Sequence, residues 1–169
     1  IDLGEPGFGV SLFTDCKYGY AVHGQVMRIS LLRSPTSPDP EADQGAQTFR
    51  YAIYPHMGTW REAQTVRRAY EFNHPWIPAP VAVETGSRLG VDSPHLILDA
   101  VKKAEDSAST ILRLYECHGE RGEAVVRLPG GSSRVEHVNL LEETKKVLLV
   151  ENGQVRVSFR PFELITLKV

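Results

Sequence analysis

Apolar and polar residues alternate with a period of two along most of this chain, the spacing of half-buried β-strands. Met27 and Ile29 alternate against Arg28 and Ser30, and Phe49, Tyr51 and Ile53 fall on one face of a following segment. The pattern predicts strands over residues 8–13, 26–32 and 48–54 in the first half. In the second half it predicts a hairpin from 95–102 and 110–116, weaker strands over 122–128 and 135–140, and a last strand over 164–169. The strongest local signal is the run Val147 to Phe159, where Asn152-Gly153 separates two β-branched stretches. That pair favours a type I′ turn, because both central residues need positive φ.

One segment changes period. Thr59-Trp60-Arg61-Glu62 is a capping box, in which the Thr oxygen accepts the amide three residues on and Glu62 reaches back. Trp60, Ala63, Val66 or Arg67, and Tyr70 then recur at near-helical spacing. The spacing predicts one short helix near 59–72, stopped at Asn73-His74-Pro75 because a residue before proline avoids the α region. Residues 34–46 are dense in proline and acid and read as a long exposed loop. Pro75, Pro78 and Pro80, followed by Gly86 and Gly90, mark a change of organisation.

Composition narrows the function classes. The 169 residues suffice for one medium domain or two small ones. A net charge of −2 provides no basic field for nucleic acid or an anionic membrane. No apolar run approaches the ~20 residues of a membrane-spanning helix. Ile1 to Pro6 has neither an initiator Met nor the pattern of a signal peptide, so the chain is expected to start inside a longer or processed protein. Cys16 and Cys117 are the only cysteines, which suits a reducing compartment, with a single disulfide as the other reading.

Catalytic chemistry is sparse. His23, His56, His74, His95, His118 and His137 form no HxH or HExxH spacing, so packing or surface roles are expected and no metal site is assigned. Asp39, Glu41 and Asp43 alternate like hard-cation ligands but lack the glycine and the bidentate Glu of an EF-hand, and read as a solvated loop. Gly130-Gly131-Ser132-Ser133 precedes no helix and reads as a turn. Tyr18, Tyr20, Trp60 and Trp76 offer rings for sugar stacking, although aromatics in small β domains mostly fill cores. The residues alone give a mainly β, soluble, intracellular protein without a self-evident active site.

Several motifs in order point further. Gly7-Phe8-Gly9-Val10, Asp15-Cys16-Lys17-Tyr18-Gly19, Leu31-Leu32-Arg33-Ser34-Pro35, Tyr54-Pro55-His56, Ala104-Glu105-Asp106, Arg113-Leu114-Tyr115-Glu116 and Pro161-Phe162-Glu163-Leu164 resemble the C-terminal β-rich region of family 38 glycoside hydrolases. The likeness is to the cytosolic and bacterial branch of these α-mannosidases. It implies a mainly β fold, with residues 1–78 as the end of a mutarotase-like β-supersandwich and residues 79–169 as a small terminal β-sandwich. It also implies that the catalytic domain lies N-terminal in the same polypeptide. There an Asp nucleophile and one zinc ion, held by Asp and His, carry out retaining hydrolysis of terminal α-mannose.

On that resemblance this chain holds no catalytic residue, no metal ligand and no cofactor, and works in the cytoplasm as part of a mannosidase. Its partners are the catalytic domain and, through it, a mannose-containing oligosaccharide. The separated fragment is expected to self-associate through strands near 8–13 or 26–32. Some family members bring an arginine from the segment matched by Leu31-Leu32-Arg33 into the mannose cleft, which makes Arg33 the substrate-contact candidate. A guanidinium offers fixed donors to vicinal hydroxyls. The other reading of Arg33 is a strand-end residue that orders the loop after it. For the whole chain, the alternative is a free-standing β-sandwich carbohydrate-binding module without catalysis.

Overall fold

The computed structural model describes residues 1–78, 86–130 and 132–169. The chain divides into two compact units, residues 1–78 and 79–169. Pro80 and Gly131, each part of a sequence signal above, lie outside the described residues.

The first unit is built on an antiparallel sheet of β1 (Asp2–Glu5), β2 (Phe8–Thr14) and β5 (Tyr51–Met57), with β2 in the middle. β2 falls where the alternation predicts it. β5 begins three residues later than expected and runs through Pro55. It is an edge strand, so the missing N–H of Pro55 breaks no ladder on its open side. Val26–Ile29 (β4) is shorter than expected and pairs with an unforeseen strand, β3 (Tyr20–His23). Gly24, at φ 57, supplies the turn between them.

The capping box is made: the Thr59 N–H donates to Glu62 Oε2 at 2.7 Å and the Glu62 N–H to Thr59 Oγ1 at 3.3 Å. It closes a separate turn, however. Gln64 sits in the left-handed region at φ 52, and the α-helix α1 proper is Thr65–Asn73. α1 lies on the face of β2 and β5 that carries Ser11, Phe13, Tyr54 and His56. Phe13 meets Phe72 at 6.2 Å between ring centroids, and Asn73 Nδ2 donates to the Thr14 carbonyl. On the opposite face Leu12 is buried, while the β5 edge is exposed: Ile53 is 65% exposed and Met57 76%.

The second unit is a β-sandwich. One sheet has the order β11 (Thr144–Leu148), β10 (Val135–Val138), β14 (Leu164–Lys168), β8 (Thr110–Glu116), β7 (Leu96–Lys103). The other has β12 (Val150–Glu151), β13 (Gln154–Phe159), β9 (Gly122–Arg127), β6 (Gly90–Val91). Leu96, Leu112, Leu114, Ile165 and Leu167 of the first sheet share a core with Val126, Val155, Val157 and Phe159 of the second. This is the mainly β sandwich that the sequence predicts.

The run Val147 to Phe159 is not a single hairpin. Its first arm crosses between sheets at Leu149, so that Leu148 and Val150 pack against the same core from either side while Leu149 is exposed. Only Val150 and Glu151 pair with β13. The turn itself is as expected, with Asn152 at φ 51 and Gly153 at φ 70. Gly153→Val forces a β-branched side chain into that region. The expected outcome is a loss of about 1–3 kcal/mol, read in chemical denaturation, with sheet content kept.

The expectation that aromatics fill the core fails for two residues. Tyr18 is 88% exposed and Trp76 96%. Phe13, Tyr54 and Phe72 supply the ring packing of the first unit, and both exposed rings lie outside its sheets, one beyond the end of β2 and one beyond α1.

Candidate functional site

Between the end of β2 and the start of β5 the chain leaves the sheet for residues 15–50, and Arg33 lies on this excursion. Its neck is closed at one point. Asp15 accepts the Arg50 N–H at 2.9 Å and pairs with Arg50 Nε at 3.1 Å, while the Asp15 N–H donates to the Arg50 carbonyl at 3.2 Å. The Arg50 amide, then the Cys16 thiol and the Arg50 guanidinium, hold the Asp15 carboxyl at about 2, below its ordinary 3.8. The same hydrogen bond to Asp15 pushes the Cys16 thiol up. Two cation–ring contacts brace the neck: Lys17 Nζ lies 5.2 Å from the Phe49 centroid and the Arg50 guanidinium 5.3 Å from that of Phe72.

Further out, the Ser30 N–H donates to the Gly19 carbonyl and brings the β3–β4 hairpin back on its own stem. A Cβ on Gly19 would lie 3.0 Å from that of Ser30, so the close approach uses the absent side chain. Asp43 then gathers the loop. Its Oδ2 accepts the N–H of Ser34 at 2.9 Å and, more weakly, that of Arg33 at 3.4 Å. Ser34 is left-handed at φ 49, a conformation the Asp43 contact helps to hold.

The loop after Arg33 is therefore ordered through backbone amides and Asp43, not through the guanidinium. The Arg33 side chain is exposed and has no hydrogen-bond or ion-pair partner among the described residues. The alternating acids have separate tasks. Asp39 accepts the Glu41 N–H at 2.9 Å, and Asp43 holds the Arg33–Ser34 amides. Chemically, the excursion presents donors on a fixed base, while Asp15, Asp39 and Asp43 are already occupied by backbone amides.

His23 ends β3 of the excursion, and the other five histidines fall outside residues 15–50. His74 Nδ1 is 2.9 Å from the Tyr70 carbonyl, and the two rings stack. Lowered by burial and by Lys146 and Lys145, His137 stays neutral more readily than usual. His56 Nε2 bonds Asp2 Oδ1 at 2.7 Å, and the Ser11 hydroxyl donates to that same oxygen at 2.6 Å while meeting Thr65 Oγ1 at 3.0 Å. Serine and histidine both contact the carboxylate and not each other, so the trio is not a nucleophile–base relay. Among the described residues no three His, Cys, Asp or Glu side chains converge to hold a metal ion. The described residues therefore offer no ligand set that fits zinc.

Sequence reasoning missed two polar centres, the Asp2–Ser11–His56–Thr65 group and Glu116. Buried at the end of β8, Glu116 accepts N–H donors from His118 at 2.9 Å, Gly119 at 2.8 Å, Glu120 at 3.1 Å and Phe162 at 2.8 Å. Each group joins residues far apart in sequence. The local traces were the glycine of Gly7-Phe8-Gly9-Val10, over which the His56 ring lies, and the places of His56, Glu116 and Phe162 within the quoted motifs.

Comparison with known proteins follows the same two-part division. Residues 95–167 match the model of the glycosyl hydrolases family 38 C-terminal beta sandwich domain, and residues 1–41 that of the glycosyl hydrolases family 38 C-terminal domain. The chain is 36% identical to human alpha-mannosidase 2C1, over 99% of its own length and 17% of that protein. It is 32% identical to alpha-mannosidase G of Dictyostelium discoideum, over 99% of this chain and 16% of that one. A family 38 glycosyl hydrolase structure from Enterococcus faecalis superposes with a TM-score of 0.76 at 22% identity, over 99% of this chain and 21% of the other. At that identity the superposition speaks for the fold. The chain thus spans less than a fifth of the length of these curated relatives, 17% in the human case.

Proposed function

This chain belongs to glycosyl hydrolase family 38, as part of its C-terminal β region, and from that membership we propose that it is the non-catalytic C-terminal portion of an α-mannosidase. The observation that carries the proposal is the likeness to proteins named alpha-mannosidase across 99% of the chain. On this reading the catalytic domain precedes it in the same polypeptide. There a retaining mechanism removes terminal α-mannose, with zinc supplying an electrophilic grip on the sugar hydroxyls. This chain's residues brace that domain, and Arg33 donates hydrogen bonds to the mannose.

Several features support the finer points. The exposed apolar residues of β5 on one sheet face, Ile53 and Met57, suit residues 1–78 as the end of a larger sandwich, and the division of the chain suits residues 79–169 as the terminal one. Separated from its parent, the same face would pair with a second copy. Cys16 and Cys117 form no disulfide with each other, which fits the proposed cytoplasmic site. The free-standing carbohydrate-binding module draws no support from relatives of which this chain matches 17%.

The experiment is Arg33→Ala in the full parent enzyme. Loss of a charged hydrogen bond costs on the order of 1.5–3 kcal/mol. The expected result is a fall in kcat/KM of about tenfold or more with unchanged thermal stability. Unchanged kinetics would remove Arg33 from the mannose site, and a parent without α-mannosidase activity would remove the proposal itself.

A further inference from the structure

The outward face of the smaller sheet of the second unit carries a groove that no role above explains. Two adjoining depressions, of about 330 and 220 Å³, share Val125 and Gln154. The sheet register sets out their lining. Gly90, Arg127, Gln154 and Glu151 form one row across β6, β9, β13 and β12. Arg156 lies across from Val125 in the next row, with Asp92 beside it. Gly90 leaves room next to Arg127, where a Cβ would come within 3.6 Å of the guanidinium.

The groove is built for hydrogen bonding on an apolar floor. Val125 and the exposed Leu149 supply the floor. Around them stand the amides of Asn152 and Gln154 and the carboxylate of Glu151, none with a side-chain hydrogen-bond partner among the described residues. Asp92 uses Oδ1 on the Val125 N–H at 2.7 Å and keeps its second oxygen. Arg156 is held only loosely by Glu123, at 3.6 Å and with both side chains more than half exposed. Acceptors and donors are therefore interleaved within one concavity. Two guanidinium groups face two carboxylates, so neither an anion nor a cation is selected.

We propose that this groove binds a neutral oligosaccharide. Each sugar hydroxyl both donates and accepts, which matches alternating carboxylate, amide and guanidinium groups, and the C–H face of a pyranose ring suits the Val125–Leu149 floor. The combined space suits a short saccharide rather than a single hydroxylic molecule. The choice of a mannose oligomer as ligand rests on the function proposed above, whereas the class, a neutral polyhydroxylated chain, rests on the groove.

The test is an amide-resolved NMR titration of the 169-residue chain with mannotriose. The expected result is saturable shifts confined to Asp92, Val125, Asn152, Gln154 and Arg156, half-complete on the order of 1 mM, an affinity in keeping with a few solvent-exposed hydrogen bonds. Gln154→Ala with Arg156→Ala, both on the exposed face, should weaken binding at least tenfold with an unchanged melting temperature. Absence of shifts at ten times that concentration, shifts elsewhere, or undiminished binding by the double variant would overturn the proposal. Equal displacement by inorganic phosphate would overturn the neutral-ligand assignment. Activity of the parent does not enter the readout, so loss of this proposal leaves the mannosidase reading standing, and the reverse.

Discussion

Replacing Glu116 by Ala is expected to destabilise the second unit by about 3–5 kcal/mol, the largest single-residue effect in the chain. Glu116 is 1% exposed, and its two oxygens accept four backbone N–H groups from two different turns. Without them the buried His118 N–H and the part-buried N–H groups of Gly119, Glu120 and Phe162 lose their acceptor, and a buried unsatisfied group costs roughly 1–3 kcal/mol. Phe162 has φ 56, a left-handed conformation that this carboxylate helps to impose, so the turn before β14 should loosen as well.

Glu116 also gives a pH signature. Burial alone would raise its pKa; the amides of Phe162, Glu120, His118 and Gly119 together outweigh burial and lower it from 4.5. A carboxylate with a lowered folded pKa contributes stability above its unfolded pKa and loses that contribution as pH falls through the folded value. The native chain should therefore lose resistance to denaturation from about pH 4.5 downward. Glu116→Gln should be less stable at neutral pH and flatter through that window. A Glu116→Ala chain with native stability would show that water replaces the carboxylate at no cost.

Gly9→Ala is the second large effect, expected at about 2–4 kcal/mol in the first unit. A Cβ on Gly9 would lie 2.4 Å from His56 Cε1 and 2.8 Å from Nε2. The ring is buried and tethered to Asp2 at 2.7 Å, with Tyr54 at 5.5 Å between centroids on its flank, so it moves aside only by giving up that bond. The double variant isolates the cause. In a His56→Ala background the added methyl has space, and its cost should fall below about 1 kcal/mol. An equal cost in both backgrounds would place the strain in the backbone of β2 instead.

Much of the architecture was legible in the sequence. β2, the β7–β8 hairpin and β14 lie where alternation puts them, and the Asn152-Gly153 turn has the dihedrals its residue types demand. These are short-range properties: side-chain period, β-branching and the tolerance of Asn and Gly for positive φ act within a few residues. The motifs around Asp15, Arg33 and Phe162 also carried the family resemblance, because the sequence itself preserves them in order. The breaks came where distant segments decide. Alternation through Tyr51 and Ile53 marked a strand but not which face would be covered, and α1 lies on the other one.

The sequence by itself determined a β-rich chain with one helical segment, its punctuation by proline and glycine, and membership of a family. Only the tertiary structure decided that the run from Val147 divides between two sheets, since a strand changes partner where both neighbours need its side chains in one core. Only it decided that Asp15 meets Arg50 at the neck of the excursion, leaving the Arg33 guanidinium unpartnered among the described residues. It alone set Glu116 beneath four amides, two of them from residues 120 and 162. The physical reason is common to all three. A buried or clamped polar group is specified by partners that satisfy it, and those partners are brought near by the packing of strands far apart in the chain, which no local pattern encodes.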